Sequence, residues 1–385
     1  MSLRGGRSWI RYVYHRDWRT VPSVAVIGTR GYPSYYSGFE TLVRRLVPEL
    51  ADKGWDVTVY GRHGATKPDD PSRDARIATR VTRGLETKSA STLSYGLTST
   101  MDAAVRRPDV ALVLNVANGF FLPLLRARGI PTLVNVDGLE WERAKWGSVA
   151  KRVFRAGAAS TAKWADDLVF DAHAIEAYWQ TNFGVDGKFI PYGGDVPPEL
   201  DVPPGLAHRG YVLMVARFVP ENSLAEFFAA VPAIAARHPV VIVGSSGYGG
   251  EWDDAAQALA TGEANVTWLG HVNNDALLHA LWQHAGVYFH GHSVGGTNPS
   301  LVQAMAAGAP ILARDTIYNR EVLGASGKFV DPVPDLIAKT VLELMDNPSE
   351  LDDASRANVS RAQEHYSWPQ VCSDYERALR ALLRH

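Results

Sequence analysis

The chain has 385 residues, 46% of them apolar and 21% charged, with a net charge of −2. That is a globular composition with length for two ordinary domains, and its near-neutral charge excludes a molecule-wide electrostatic hold on nucleic acid. A single cysteine, Cys372, excludes an intrachain disulfide and a cysteine-rich zinc site and suits a reducing cytoplasm; no apolar run reaches the roughly 18 residues of a membrane span, and no secretory leader is expected, since no apolar stretch follows the first arginines.

The first 20 residues, MSLRGGRSWIRYVYHRDWRT, carry five arginines against one aspartate, interleaved with aromatics. Such interleaving suits an interfacial segment resting on anionic lipid at the inner face of the plasma membrane; a solvated extension is the rival reading. We therefore treat residues 1–21 as a basic-aromatic extension. From residue 22 to 190 short β-rich runs alternate with helical patterns. Strands are expected at 24–28, 55–61, 109–116, 131–137 and 166–172. A helix is expected at 39–54, where Leu42, Val43, Leu46, Val47 and Leu50 recur at helical spacing, Pro48 should kink it and Gly54 can end it.

Residues 191–208, rich in proline and glycine, read as a linker. The alternation then restarts over 209–365, with strands expected at 211–217, 239–245, 265–271, 286–291 and 310–314. A last helix, 366–385, is placed to cross back to the first domain. Two successive βα arrays imply an α/β protein of two doubly wound, Rossmann-like domains facing a cleft, with ligands beyond the carboxyl ends of the strands.

Two loops at such ends stand out. TRGYPSYYSGFE (29–40) places Gly31 and Gly38 at the start of a helix but lacks the dinucleotide and P-loop patterns. HGHSVGGTNPSLVQAMAAGAP (290–310) follows a strand with Gly295 and Gly296 and starts a helix at once. Asn298 should cap it, Pro299 fits its first turn, and Ser300, Leu301 and Val302 should then offer free backbone N–H groups to an anion. A well-capped helix after a flexible turn is the plainer alternative. Arg217, ending strand 211–217, supplies a cation suited to a diphosphate. His173, His290 and His292 are better read as packing residues than as metal ligands; His290 and His292 are expected to face opposite ways.

The stretches 28–62, VDGLEWERAKWG (136–147), ARFVPENS (216–223) and HSVGGTNPSLVQAMAAG (292–308) resemble the retaining family-4 glycosyltransferases of GT-B fold. They are most like a rhamnosyltransferase-containing subgroup of bacterial polysaccharide assembly. The resemblance runs from about residue 22 to the end. It implies that Arg217 binds the diphosphate and that the turn at Ser37-Gly38 faces the cleft from the acceptor side. A lysine usual in the family is Asn222 here. The two glutamates that relatives use near the donor sugar and the ribose are Gly295 and Gln303. Asp137 stands where many relatives have an active-site histidine, with Glu140 one turn beyond it. Backbone groups around Gly296, Thr297 and Asn298 must then hold the sugar.

The expectation is a metal-independent, cofactor-free hexosyltransferase acting with retention. It would take a nucleotide-diphosphate sugar, such as dTDP-rhamnose, and a glycan or lipid-linked acceptor. Asp137, Glu140 and Arg217 are the candidate catalytic residues. Gly38, Asn222, Gly295–Asn298, Ser300, Leu301 and Gln303 are the candidate donor-binding ones. A nucleotide-sugar epimerase or hydrolase, and a non-catalytic nucleotide-sugar binder, are the alternatives.

Overall fold

The computed structural model describes residues 21–383, except 36–37, 68, 87–90, 144–145 and 248. The expected membrane-facing stretch 1–20 and Ser37 of the first turn lie outside the described residues.

The first domain is a seven-stranded sheet of β1 (Ser23–Ile27), β2 (Asp56–Gly61), β3 (Ala78–Val81), β4 (Val110–Leu114), β5 (Thr132–Asn135), β6 (Asp167–Phe170) and β7 (Lys188–Phe189). Its spatial order is β3-β2-β1-β4-β5-β6-β7, parallel throughout. Parallel strands covered on both faces read as continuous apolar runs, and VALVL of β4 is buried at every position. The helix Gly38–Asp52 turns Leu42, Val43, Leu46, Val47 and Leu50 into the core. It runs through Pro48 to Asp52, close to the end expected at Gly54, with buried residues on either side of the proline.

The second domain is a six-stranded sheet of β8 (Val212–Val215), β9 (Val240–Val243), β10 (Val266–Trp268), β11 (Val287–His290), β12 (Ile311–Arg314) and β13 (Lys328–Val330). Its order is β10-β9-β8-β11-β12-β13, again all parallel. Sequence pattern missed β3, β7 and β13. β3 (ATRV) is half exposed and β7 has only two residues, so neither gives a buried apolar run.

The chain crosses between the domains twice. Gly194 of the linker donates to the Tyr366 carbonyl at 2.7 Å and bridges Ser367, so the outward and return crossings run side by side. Glycine is required here: a Cβ on Gly193 would meet the Trp368 ring at 2.6 Å, and one on Gly194 the Val302 carbonyl at 2.8 Å. The returning helix, Trp368–Leu382, buries Trp368, Val371, Cys372, Tyr375 and Leu379 against Val24, Leu42 and Leu46 of the first domain. Each fully buried large apolar side chain contributes on the order of 1.5–3 kcal/mol. Asn135 Nδ2 donates to the Tyr375 hydroxyl at 2.6 Å, and Trp55 Nε1 to Glu376 at 3.2 Å. Burial pushes the Cys372 thiol up to about 12, so it serves as core.

Candidate active site

The carboxyl ends of β8 and β11 form one wall of the cleft. Arg217 follows β8, is exposed, and its guanidinium has no hydrogen-bond or ion-pair partner among the described residues. Asn222 does not reach toward a ligand as the donor-binding expectation required. It is 3% exposed, and its Nδ2 donates to the Arg217 carbonyl at 2.8 Å, so it shapes the turn that presents the arginine.

After β11, His290 and His292 stack with ring centroids 4.3 Å apart and planes 11° apart. The expectation of opposite faces was wrong: residues two apart along an extended chain share a face. Burial lowers His290 to about 3. Burial first, then His290, Arg217 and Arg143, holds His292 well below the usual range. Both rings are therefore neutral. Among the described residues no three His, Cys, Asp or Glu side chains are grouped to hold a metal. His173 sits on the surface, paired with Glu176 at 3.1 Å.

Asn298 caps the helix Pro299–Ala306 as its sequence predicts, its side chain accepting from Ser300 N at 3.0 Å and Ser300 Oγ at 2.7 Å. This cap corrects the anion-site expectation by one turn. Leu301 N and Val302 N both bond to the Asn298 carbonyl at 3.1 Å, so the N–H groups of Ser300, Leu301 and Val302 are occupied. Among the described residues of this turn, the N–H groups of Val294 through Asn298 have no partner, those of Gly296, Thr297 and Asn298 included. Gly295, at φ 118°, gives the turn its left-handed step. Gln303 departs furthest from its expected ribose-binding role. Its Oε1 accepts from Asp195 N at 3.0 Å and its Nε2 donates to Asp195 O at 2.7 Å, so the amide fastens the linker.

The opposite wall comes from the ends of β5 and β6. Asp137 holds φ 62°, unusual for a residue with a side chain; its N–H donates to Asn135 Oδ1 at 2.9 Å and its carboxylate faces Asn115 Nδ2 at 3.5 Å. Backbone held in this region is characteristic of functional sites. Asp137 does not cap a helix: the short 3₁₀ turn Glu140–Glu142 starts after Leu139 with no side-chain cap. Glu140 is buried between Trp146 Nε1, 2.8 Å from Oε2, and Arg143 Nε, 2.5 Å from Oε1. It therefore clamps Arg143. Burial opposes the charge on Arg143, but Glu140, Asp137, Glu221 and Asp171 outweigh it and raise its pKa. Asp171, just after β6, is 3% exposed with Oδ1 unpartnered; burial first, then Asp137, raises its carboxyl to about 8.

The two walls touch. A Cβ on Gly38 would lie 3.0 Å from Pro299 Cγ, and one on Gly138 would lie 3.1 Å from Gly295 Cα. A Cβ on Gly296 would lie 1.9 Å from Asp171 Oδ1, so only glycine fits. The Thr297 hydroxyl donates to the Asp171 carbonyl. Glu321 of the second domain accepts from His173 N at 2.7 Å and Ala174 N at 3.2 Å. It thus caps the helix His173–Phe183, whose own N-cap residue, Ala172, offers no side-chain bond.

Thus Asp137, Glu140, Arg217 and the 295–298 turn border one cleft, while Asn222, Ser300, Leu301 and Gln303 work as scaffold. Arg143, Asp171, Glu221 and Glu321 were missed. Arg143 and Glu221 lie inside quoted motifs and Asp171 just beyond β6, while Glu321 carries no such signal; the contacts of Asp171 and Glu321 come from far away in the chain.

Comparison with known proteins fits this layout. Residues 37–193 match the glycosyl transferase 4-like domain family, and residues 209–347 match glycosyl transferases group 1. A phosphatidyl-myo-inositol mannosyltransferase of Mycolicibacterium smegmatis is 33% identical over 52% of this chain and 53% of its own length. An O-antigen chain mannosyltransferase B of Escherichia coli is 25% identical over 42% of this chain and 44% of its own length. Each match spans about half the curated relative. Among solved structures, sucrose-phosphate synthase of Thermosynechococcus elongatus superposes with TM-score 0.78 at 18% identity, covering 94% of this chain and 99% of that one. Anabaena HepE in complex with UDP and glucose gives TM-score 0.73 at 13% identity, covering 94% and 99%. At these identities the structural likeness speaks for the fold, which is GT-B.

Proposed function

For a chain that carries both domains of the GT-B glycosyltransferases, we propose transfer of a hexose from a nucleotide-diphosphate sugar to a glycan or lipid-linked acceptor, with retention. The observation that carries this reading is the unpartnered Arg217 facing the same cleft as the partner-free N–H groups of Gly296, Thr297 and Asn298. Cation and N–H groups together suit a diphosphate leaving group, whose growing charge they would stabilise without a metal. The anomeric carbon–phosphate oxygen bond breaks as the acceptor oxygen bonds to the anomeric carbon on the same face. The acceptor proton goes to the departing phosphate oxygen, so no protein nucleophile is needed. Asp137 stands at the acceptor-side wall to orient the hydroxyl.

The curated relatives are named mannosyltransferases, while the motif resemblance points to rhamnose, so the donor is kept at the level of a hexose. Because the Gln303 amide bonds the linker, it gives no argument for a deoxythymidine donor. We also propose contact of residues 1–20 with the anionic inner leaflet, on the strength of their arginine–aromatic interleaving; no described helix is long and apolar enough to cross a membrane.

Incubation with UDP-glucose, GDP-mannose and dTDP-rhamnose, with a panel of lipid-linked and free glycans, tests the reaction. Acceptor-dependent nucleotide release and a product with the donor's anomeric configuration by NMR are expected. Turnover that needs no acceptor would favour the epimerase or hydrolase alternative. Donor binding without transfer would favour the non-catalytic one, to which the engaged Asn222 and Gln303 amides lend some weight.

A further inference from the structure

Glu221 is 6% exposed, yet neither Oε1 nor Oε2 has a hydrogen-bond partner among the described residues. A buried carboxylate without donors is costly, and in a native fold it calls for an explanation. Its position is fixed: the Glu221 carbonyl accepts from Ser293 N at 2.9 Å and Ser293 Oγ at 2.8 Å, which ties it to the loop after β11. Across the cleft, Arg143 is held by Glu140 and lies close enough to Glu221 for that carboxylate to help keep it charged. Beside Arg143, Gly138 and Gly295 have no side chains. Among the described residues, a Cβ at Gly295 would meet nothing nearer than the Arg143 Nη2, 3.8 Å away, so the space they leave beside it is open.

The chemistry of this gap is selective. Carboxylates and phosphates are both acceptors, so a diphosphate cannot satisfy Glu221. A polyol can, because each hydroxyl donates to one partner and accepts from another. We propose that Glu221 and Arg143 form a cross-domain sugar subsite, in which Glu221 accepts from hydroxyls of the donor hexose and Arg143 donates to its oxygens. This rests on the transferase reading and adds to it the residues that recognise the sugar, as distinct from the nucleotide. With Gly295 lacking a side chain, the second domain contributes its carboxylate from the loop after β8 instead.

The test compares each sugar nucleotide with its own nucleoside diphosphate by calorimetry: UDP-glucose with UDP, GDP-mannose with GDP, dTDP-rhamnose with dTDP. For the pair that wild type binds, Glu221→Gln is expected to weaken the sugar nucleotide at least about tenfold, the size of one lost charge-assisted bond, and the bare diphosphate less than about twofold. Arg143→Lys should act in the same direction and keeps the charge beside Glu140, so it guards against misfolding; melting curves of both variants check this. Arg217→Ala should weaken both ligands alike. An unchanged ratio in Glu221→Gln, or equal loss for sugar nucleotide and diphosphate, overturns the subsite while leaving the transferase reading standing. Loss of the sugar discrimination on adding EDTA overturns it too, because a cation would then be what Glu221 holds. Wild type that binds none of the three diphosphates overturns both readings.

Discussion

The two walls of the cleft are built by different physics. The second-domain wall presents an exposed, unpartnered Arg217 and a turn of partner-free N–H groups, and it comes from one contiguous stretch plus one strand end. The first-domain wall is dense in carboxyl groups: Asp137, Glu140 and Asp171 lie around the half-buried Arg143. One wall suits an acceptor-only ligand such as a diphosphate, and the other suits hydroxyl groups. A donor of nucleotide and sugar would lie across both. Where the walls meet, Gly138, Gly295 and Gly296 keep side chains out of the contact, so closure and recognition depend on the same few positions.

The most direct way to break this arrangement is to stop the walls from meeting. Gly296→Val places a Cβ where Asp171 Oδ1 now lies 1.9 Å away, so the buried Asp171 carboxyl, and with it the contact between the walls, would have to shift. Misplacing the cleft by about 1 Å is expected to reduce kcat/KM roughly a hundredfold. Far-UV circular dichroism should remain that of wild type. A loss below about fivefold would mean that the contact is not part of the working state.

Removing the cation of the second wall should cost less. Arg217→Ala deletes a charge-assisted partner worth about 1.5–3 kcal/mol, so the affinity for a nucleoside diphosphate should fall roughly ten- to a hundredfold. The corresponding nucleoside monophosphate should be affected less, since it has one phosphate fewer to hold. Unchanged diphosphate affinity would place the phosphates elsewhere and remove the contrast between the walls.

The first wall can be probed through pH. The Asp171 carboxyl is raised to about 8 by burial and then by Asp137, whereas in an unfolded chain it would titrate near 4. The folded state therefore binds the extra proton between those values. This contribution to stability is complete below about pH 4 and is lost as pH rises toward 8. Asp171→Asn removes it, so the variant's melting temperature relative to wild type should rise steadily from pH 5 to pH 8. Parallel melting profiles over that range would show that Asp171 titrates normally. His290 and His292 act in the opposite sense: kept neutral by burial, they take up protons only on unfolding, so they lower stability as pH falls below about 6.5.

The contrast between the walls also explains what the sequence discloses. Long apolar runs such as VAVI and VALVL announce both sheets because burial on two faces demands them. Asn298 and Pro299 announce their helix because capping is local. Arg217 is legible for the same reason: it ends a strand, and strand ends face the cleft. The roles of Asp171 and Glu321 depend on partners far away in the chain, up to 148 residues in the bond from His173 N to Glu321. No spacing rule reaches that far. Histidine packing was misread because alternation was counted one step instead of two. The free N–H groups were placed a turn too late because the cap was credited with order but not with using up donors.

Gln303 sharpens the comparison by a small effect. Its motif position suggested a ribose contact, but its amide is bonded to both the N–H and the carbonyl of Asp195, one donor matched to one acceptor. Gln303→Glu keeps the acceptor and loses the donor, and it sets a carboxylate against the Asp195 carbonyl. The linker should then loosen, costing about 1–2 kcal/mol of stability, the usual range for a lost hydrogen bond that leaves an acceptor unpaired. If Gln303 is scaffold, the ratio of dTDP to UDP affinity stays within about twofold of wild type, since a change far from the ribose cannot discriminate its 2′-hydroxyl. A tenfold shift toward UDP with unchanged melting would return Gln303 to the nucleotide site. It would also mean that the linker contact gives way when donor binds.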